Sequence, residues 1–322
     1  MTQHPAGPKS DRGSCFPPLA RWAQLSDWGG YAAGWQVVRS VPELVARNAF
    51  GAGAHFFARN GGPEQLRRNL ARVIGGETPE RVPDELIRAS LASYARYWRE
   101  AFRLPSMDHA ELGRRLSVQD IEMVWTSMEK HGRGAVLALP PHSGNWDMAG
   151  VWMVQNHGRF ATVAERLKPE SLYNRFLAYR ESLGFEVVPL SGGERPPFDV
   201  LCDRLRDNGV VCLMADRDLT RSGVQVDFFG EPTRLPAGPA KLALSTGAPL
   251  FPAHCWYEGD GWGGIRVYPQ LDTSSGDVTV ITQALADRFA ANIAAHPADW
   301  HMLQPQWLAD LSDERRARLE AT

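Results

Sequence analysis

From Gly134 onward the chain alternates short apolar runs with amphipathic segments, and that alternation leaves few folds open to it. Ala135–Leu139 is continuously apolar and reads as a strand buried on both faces. A helix over Asn145–Gln155 and a strand over Ala161–Ala164 follow. Leu172, Phe176, Tyr179 and Leu183 recur at helical spacing, and Gly184 closes that helix. Next come a strand over Phe185–Pro189, a helix over Phe198–Arg206 ended near Gly209, and a strand over Val210–Ala215. Pro239–Thr246 predicts a helix opening at its proline, with strands at Pro249–His254 and Gly264–Tyr268 behind it. Val278–Ala295 places Ile281, Leu285, Phe289 and Ile293 on one face. Strands and helices in this order predict an α/β fold with a mostly parallel central sheet flanked by helices.

Ahead of that core the pattern is helical only, so residues 25–133 read as an N-terminal helical region packed on a 134–322 α/β core. Ile87, Leu91, Tyr94, Trp98 and Phe102 mark one helix, and Pro63–Gly75 opens with Pro and stops with Gly. Ser117-Val-Gln-Asp120 reads as a capping pair for a helix running to Lys130. Residues 1–24 are polar and Pro/Gly-rich at their start and are expected to be a disordered tail. No run approaches the ~18 apolar residues of a membrane span. The 322 residues suffice for one large core, and a formal net charge of −2 gives no reason to expect nucleic acid as a partner. Cys15, Cys202, Cys212 and Cys255 show neither disulfide nor zinc spacing, which fits a reducing compartment. Arginines cluster between Arg59 and Arg115, interleaved with Tyr94, Tyr97, Trp98 and Phe102. They read either as solvated helix faces or as a surface for anionic lipid headgroups, where each contributes about 1 kcal/mol.

Open α/β sheets gather ligands at the carboxyl ends of their strands. His142 follows the first predicted strand, Glu165 the second and Asp216 another. His142-Ser-Gly-Asn-Trp-Asp147 sets a histidine and a carboxylate, with four residues between them, on a turn leaving a buried strand. An imidazole there can take the proton of a hydroxyl as the oxygen attacks, and Asp147 is the expected group to orient the ring. Backbone N–H groups of Ser143–Asn145 are candidate donors to a developing oxyanion. Ser143 as a covalent nucleophile is a weaker alternative, because no G-x-S-x-G elbow surrounds it.

The His142–Asp147 spacing resembles the H-x4-D motif of glycerolipid acyltransferases. With it stand Leu139–Asp147, Ala215-Asp-Arg-Asp218, Val226-Asp-Phe-Phe-Gly230 and Leu244–Pro252, a set similar to the bacterial branch that includes lipid A lauroyl and myristoyl acyltransferases. Gly30–Trp35, Gln65–Leu70 and Tyr94–Pro105 narrow the resemblance to actinobacterial phosphatidylinositol mannoside acyltransferases. It covers nearly all of Leu25 to Trp307.

The resemblance implies transfer of a palmitoyl-type chain from acyl-CoA, a co-substrate, to the 6-hydroxyl of the 2-linked mannose of a phosphatidylinositol mannoside. No cofactor or metal is called for. A lipid acceptor implies a peripheral protein on the cytoplasmic face of the membrane; Trp28, Tyr31, Trp35 and Arg39 form a candidate interfacial face. The implied catalytic set is His142, Asp147 and Asp216, with Asp216 facing the acceptor's sugar hydroxyls. Glu165 and Arg180 are expected to pair and shape the substrate pocket. Arg217 and Arg234 are candidate phosphate contacts, and Ser222 and Ser245 candidate donor contacts. Trp146, Met148, Val151 and Trp152 either line an acyl slot or fill the core. Rival readings are a lipid A type transferase fed by acyl-carrier protein, a thioesterase, and a non-catalytic lipid-binding protein. Oligomeric state is not legible in the sequence.

Overall fold

The computed structural model describes residues 28–76, 78–166, 169–259 and 263–320. The expected tail at 1–24, and the side chains of Trp28 and Tyr31, lie outside the described residues. Seven strands form one sheet: β1 (Ser117–Gln119), β2 (Ala135–Leu139), β3 (Phe160–Ala164), β4 (Glu186–Pro189), β5 (Val210–Met214), β8 (Leu250–Trp256) and β9 (Gly264–Val267). Two more, β6 (Val224–Phe228) and β7 (Glu231–Leu235), make a separate antiparallel hairpin. The sheet order is β1-β9-β8-β2-β5-β3-β4, parallel throughout except for the β8–β9 pair.

Twelve α-helices are described: α1 (Trp28–Ser40), α2 (Glu43–Phe57), α3 (Glu64–Val73), α4 (Asp84–Arg103), α5 (His109–Arg115), α6 (Glu122–His131), α7 (Trp146–His157), α8 (Glu170–Ser182), α9 (Pro197–Arg206), α10 (Gly238–Thr246), α11 (Val278–Ala295) and α12 (Asp313–Glu320). The α/β architecture expected from the alternation is the one observed.

β2 lies at the centre because every one of its residues is apolar and buried. Val136 and Ala138 point into one core, with Ile281, Leu285, Phe289 and Ile293 of α11. Ala135, Leu137 and Leu139 point into the other, with Met148 and Val151 of α7. Complete burial of each valine, leucine, isoleucine, phenylalanine or methionine among them contributes about 1.5–3 kcal/mol, which is why a strand without a polar face takes the middle position.

One element departs from expectation. Ser117-Val-Gln119 is the edge strand β1, paired in parallel with Gly264–Arg266, and α6 begins only at Glu122 without a side-chain cap. Tertiary pairing overrides the local capping pattern there. The helical N-terminal region thus lends a strand to the sheet.

Candidate active site

β2 and β5 are parallel neighbours in register, with Leu139 opposite Met214, and the ladder continues one step as Ala215 N–H donates to Leu139 O at 3.0 Å. Their exits are therefore adjacent, since paired strands lie about 4.8 Å apart. His142 leaves one exit and Asp216 the other. His142 Nδ1 is 2.8 Å from Asp216 Oδ2, and the Asp216 side chain is almost wholly buried. Gln306 Nε2 donates to the Asp216 carbonyl at 2.7 Å, fixing the backbone that carries the carboxylate.

The expected partnership of His142 with Asp147 is replaced by this one. Asp147 lies in the first turn of α7, where Tyr97 Oη donates to its Oδ2 at 3.1 Å and Arg180 Nε stands 3.6 Å from Oδ1. Burial raises the Asp147 carboxyl above its ordinary value, with the Arg180 charge and the Tyr97 hydrogen bond opposing. The same burial, with the Asp147 charge beside it, holds the Tyr97 phenol well above its usual range. Arg180 also lies over the Trp146 ring, 4.5 Å from its centroid. Its ion-pair partner is thus Asp147, not Glu165 as expected.

The turn between His142 and α7 is tightly built. Gly144 adopts φ +56°, and a Cβ there would fall 2.6 Å from the Cys255 carbonyl carbon, so only glycine fits. Asn145 caps α7 by accepting from Met148 N–H, and its Nδ2 donates at 3.1 Å to buried Glu100. Glu100 also accepts from Tyr257 Oη and pairs with Arg96, so α4 braces the turn from outside the sheet. On the other side the segment after α11 clasps it: His301 N–H donates to His142 O at 2.9 Å, and Gly144 N–H to Asp299 O at 3.1 Å. Ser143 N–H is engaged with Pro140 O. Two of the three expected oxyanion donors are therefore already occupied within the protein. Ser143 itself is fully buried behind the turn and absent from the cavity wall, which removes its case as a nucleophile.

His142 and Asp216 open onto a cavity of about 1090 Å³. Trp35, Phe102, Phe176 and Tyr179 form an aromatic cluster in its wall, with Trp35 to Phe102 centroids at 5.2 Å. Glu165, Arg180, Arg217 and Ser222 also stand in the wall, as does Asp147. Trp146 contributes to it, whereas Met148 and Val151 are core. Arg217 Nε donates to Pro305 O at 2.9 Å.

Arg234 and Ser245 are not brought to the site. Arg234 lies behind the 220–223 turn, where its Nη1 donates to the carbonyls of Thr220, Arg221 and Gly223. Ser245 is exposed on α10, outside the cavity wall. A strand-to-helix count does not tell which way a helix turns its polar residues.

Several site residues escaped sequence reasoning. Tyr97 was visible only as one aromatic among the N-terminal arginines. His301 is buried beside the rings of Tyr94 and Tyr97, and burial with the nearby His142 charge lowers its pKa to about 3. Nothing periodic surrounds it. Asn145 did carry a signal, as a helix-opening Asn before an apolar run.

The family model described as bacterial lipid A biosynthesis acyltransferase matches residues 20–309. The phosphatidylinositol mannoside acyltransferase of Mycolicibacterium smegmatis is 77% identical over 296 residues, which cover 92% of this chain and 96% of that protein. The protein of the same name from Mycobacterium tuberculosis is 66% identical over 316 residues, covering 98% of this chain and 96% of that protein.

Proposed function

The chain belongs to the bacterial lipid A biosynthesis acyltransferase family, and on that premise we propose that it moves a long, palmitoyl-type acyl group from acyl-CoA to the 6-hydroxyl of the 2-linked mannose of a phosphatidylinositol mannoside. The acceptor is that of its named mycobacterial relatives. The observation that carries the chemistry is the 2.8 Å contact between His142 Nδ1 and buried Asp216, at the rim of a cavity walled by aromatic rings.

With Nδ1–H held by the Asp216 carboxylate, Nε2 keeps its lone pair for the substrate. It takes the proton of the mannose hydroxyl as that oxygen attacks the thioester carbonyl, and Asp216 stabilises the imidazolium. The tetrahedral intermediate collapses by breaking the carbon–sulfur bond, and the imidazolium returns its proton to the leaving thiolate. Arg217 follows Asp216 on the cavity wall, and we assign its charge to the thioester oxygen as that turns negative. Asp147 with Arg180 and Tyr97 shapes the wall rather than touching the imidazole. The acyl chain takes the aromatic side, where each buried CH₂ contributes about 0.8 kcal/mol.

Glu165, at the end of β3, is assigned to the acceptor's sugar. Among the described residues no helix is long and apolar enough to cross a membrane. Val37, Leu44, Val45, Phe56 and Phe57 are nevertheless exposed on α1 and α2, near Arg39, Arg47 and Arg59. This mixed surface supports peripheral docking on an anionic, cytoplasmic membrane face.

The test is transfer of radiolabelled palmitoyl from CoA to phosphatidylinositol monomannoside, with His142→Ala beside wild type. Acylated lipid that disappears in the variant supports the reading. CoA release without acylated lipid would replace it with a thioesterase.

A further inference from the structure

We propose that Arg221, Lys241 and Arg315 form a seat for the phosphates of the donor's nucleotide, a site distinct from the His142–Asp216 pair; it rests on the acyl-CoA reading above. All three line the cavity, and each comes from a different element: the turn after β5, the first turn of α10, and α12. Among the described residues none of the three has a carboxylate partner. Glu314 pairs with Arg318 instead, and the Asp218 carboxylate accepts from the hydroxyls of Thr220 and Ser222. Cations on a cavity wall that form no ion pair within the protein keep their charge for a ligand, and a polyanion is the ligand that uses three of them at once.

The turn is also held in shape. Arg234 donates to three carbonyls of residues 220–223 from behind, and Arg221 Nε donates to Arg318 O at 2.9 Å, tying the turn to α12. Arg221 thus spends one donor on the fold and keeps its terminal nitrogens for a ligand. Ser222, expected to touch the donor, belongs to this turn: its hydroxyl lies 2.7 Å from Thr220 Oγ1. The opening of α10 at Gly238 has no side-chain cap and stands in the same wall, adding the positive end of a helix dipole.

A thioester of CoA fits this arrangement because it carries a pyrophosphate and a further phosphate at the end opposite the reacting carbonyl. Asp216 begins the loop that continues through Arg221, so one loop serves the reacting centre and the phosphates. The acceptor lipid also carries a phosphate, and the experiment separates the two sources.

Steady-state kinetics of the full chain would compare S-palmitoyl-CoA with S-palmitoyl-pantetheine, which lacks the nucleotide, using wild type and Arg221→Gln/Lys241→Gln/Arg315→Gln. Wild type is expected to prefer the CoA thioester in kcat/KM. The triple variant should lose that preference by roughly tenfold, with KM for the acceptor lipid unmoved. The charge-keeping set Arg221→Lys/Lys241→Arg/Arg315→Lys should restore most of it, and a melting curve would confirm that each variant folds. A preference within twofold of wild type in the glutamine variant would overturn the proposal. So would a rise confined to the acceptor's KM, which would hand the site to the lipid phosphate, or an equal loss with both donors. If wild type turned over acyl-carrier-protein thioesters and neither small donor, the acyl-CoA reading itself would fall.

Discussion

Asp147 and Asp216 are both buried carboxylates on the wall of one cavity, yet they sit in regions built on different logic. Asp216 leaves β5 beside the exit of β2, so sheet pairing delivers it to His142 across 74 residues of sequence. Asp147 is only five residues from His142, but it turns with the first coil of α7 toward Tyr97 and Arg180. Nearness along the chain thus set up one expectation and register within the sheet decided another. The lesson is that a carboxylate close in sequence to a histidine pairs with it only if the intervening turn points them together. Here an N-cap and a glycine with positive φ point them apart.

The comparison is sharpest at the histidine both regions flank. His142→Ala should lower kcat by roughly 10²–10⁴-fold with unchanged melting, measured as palmitoyl transfer. Next, Asp216→Asn should cost about 10²-fold in kcat with a small effect on melting. Asp147→Asn should do the reverse: less than about tenfold in kcat, but about 1–3 kcal/mol in stability from the uncompensated Arg180 charge. Equal kinetic losses in the two asparagine variants would erase the distinction.

Two further histidines extend the contrast to acid stability. Burial lowers the pKa of both His301 and His254 to about 3, against an ordinary 6.5. The unfolded chain therefore binds protons below about pH 6.5 that the folded chain refuses. Stability from these groups is complete above that pH and is lost as pH falls toward 3, by about 1.4 kcal/mol per pH unit for each. His254→Gln should flatten an acid-denaturation profile by one proton in that window. The mildest effect is expected at the exposed face: Phe56→Glu/Phe57→Glu should weaken flotation with anionic vesicles severalfold while leaving turnover of a detergent-dispersed acceptor intact.

Much of the fold is written in local pattern. β2 is legible because five apolar residues in a row suit only a doubly covered strand, and α11 because its four core residues share one face. His142 was legible as the polar group just past that strand. Its partner was not, since nothing in Asp216-Arg-Asp218 says that β5 and not β3 lies next to β2. The edge strand Ser117–Gln119 was hidden because three residues carry no periodicity, and their pairing with β9 is a long-range event. Arg234 was misplaced because an arginine behind a turn and one facing a ligand look alike in sequence.

The clasp of residues 299–301 on the catalytic turn bears on how the protein comes into being. The carbonyl of His142 and the N–H of Gly144 find their partners in His301 and Asp299. A chain emerging from the ribosome therefore exposes its histidine, both carboxylates and the strands that carry them long before it can fasten the turn. Competence arrives only once residues 299–301 have followed the last strand of the sheet, and a message cut short between the two yields the strands with an unfastened turn.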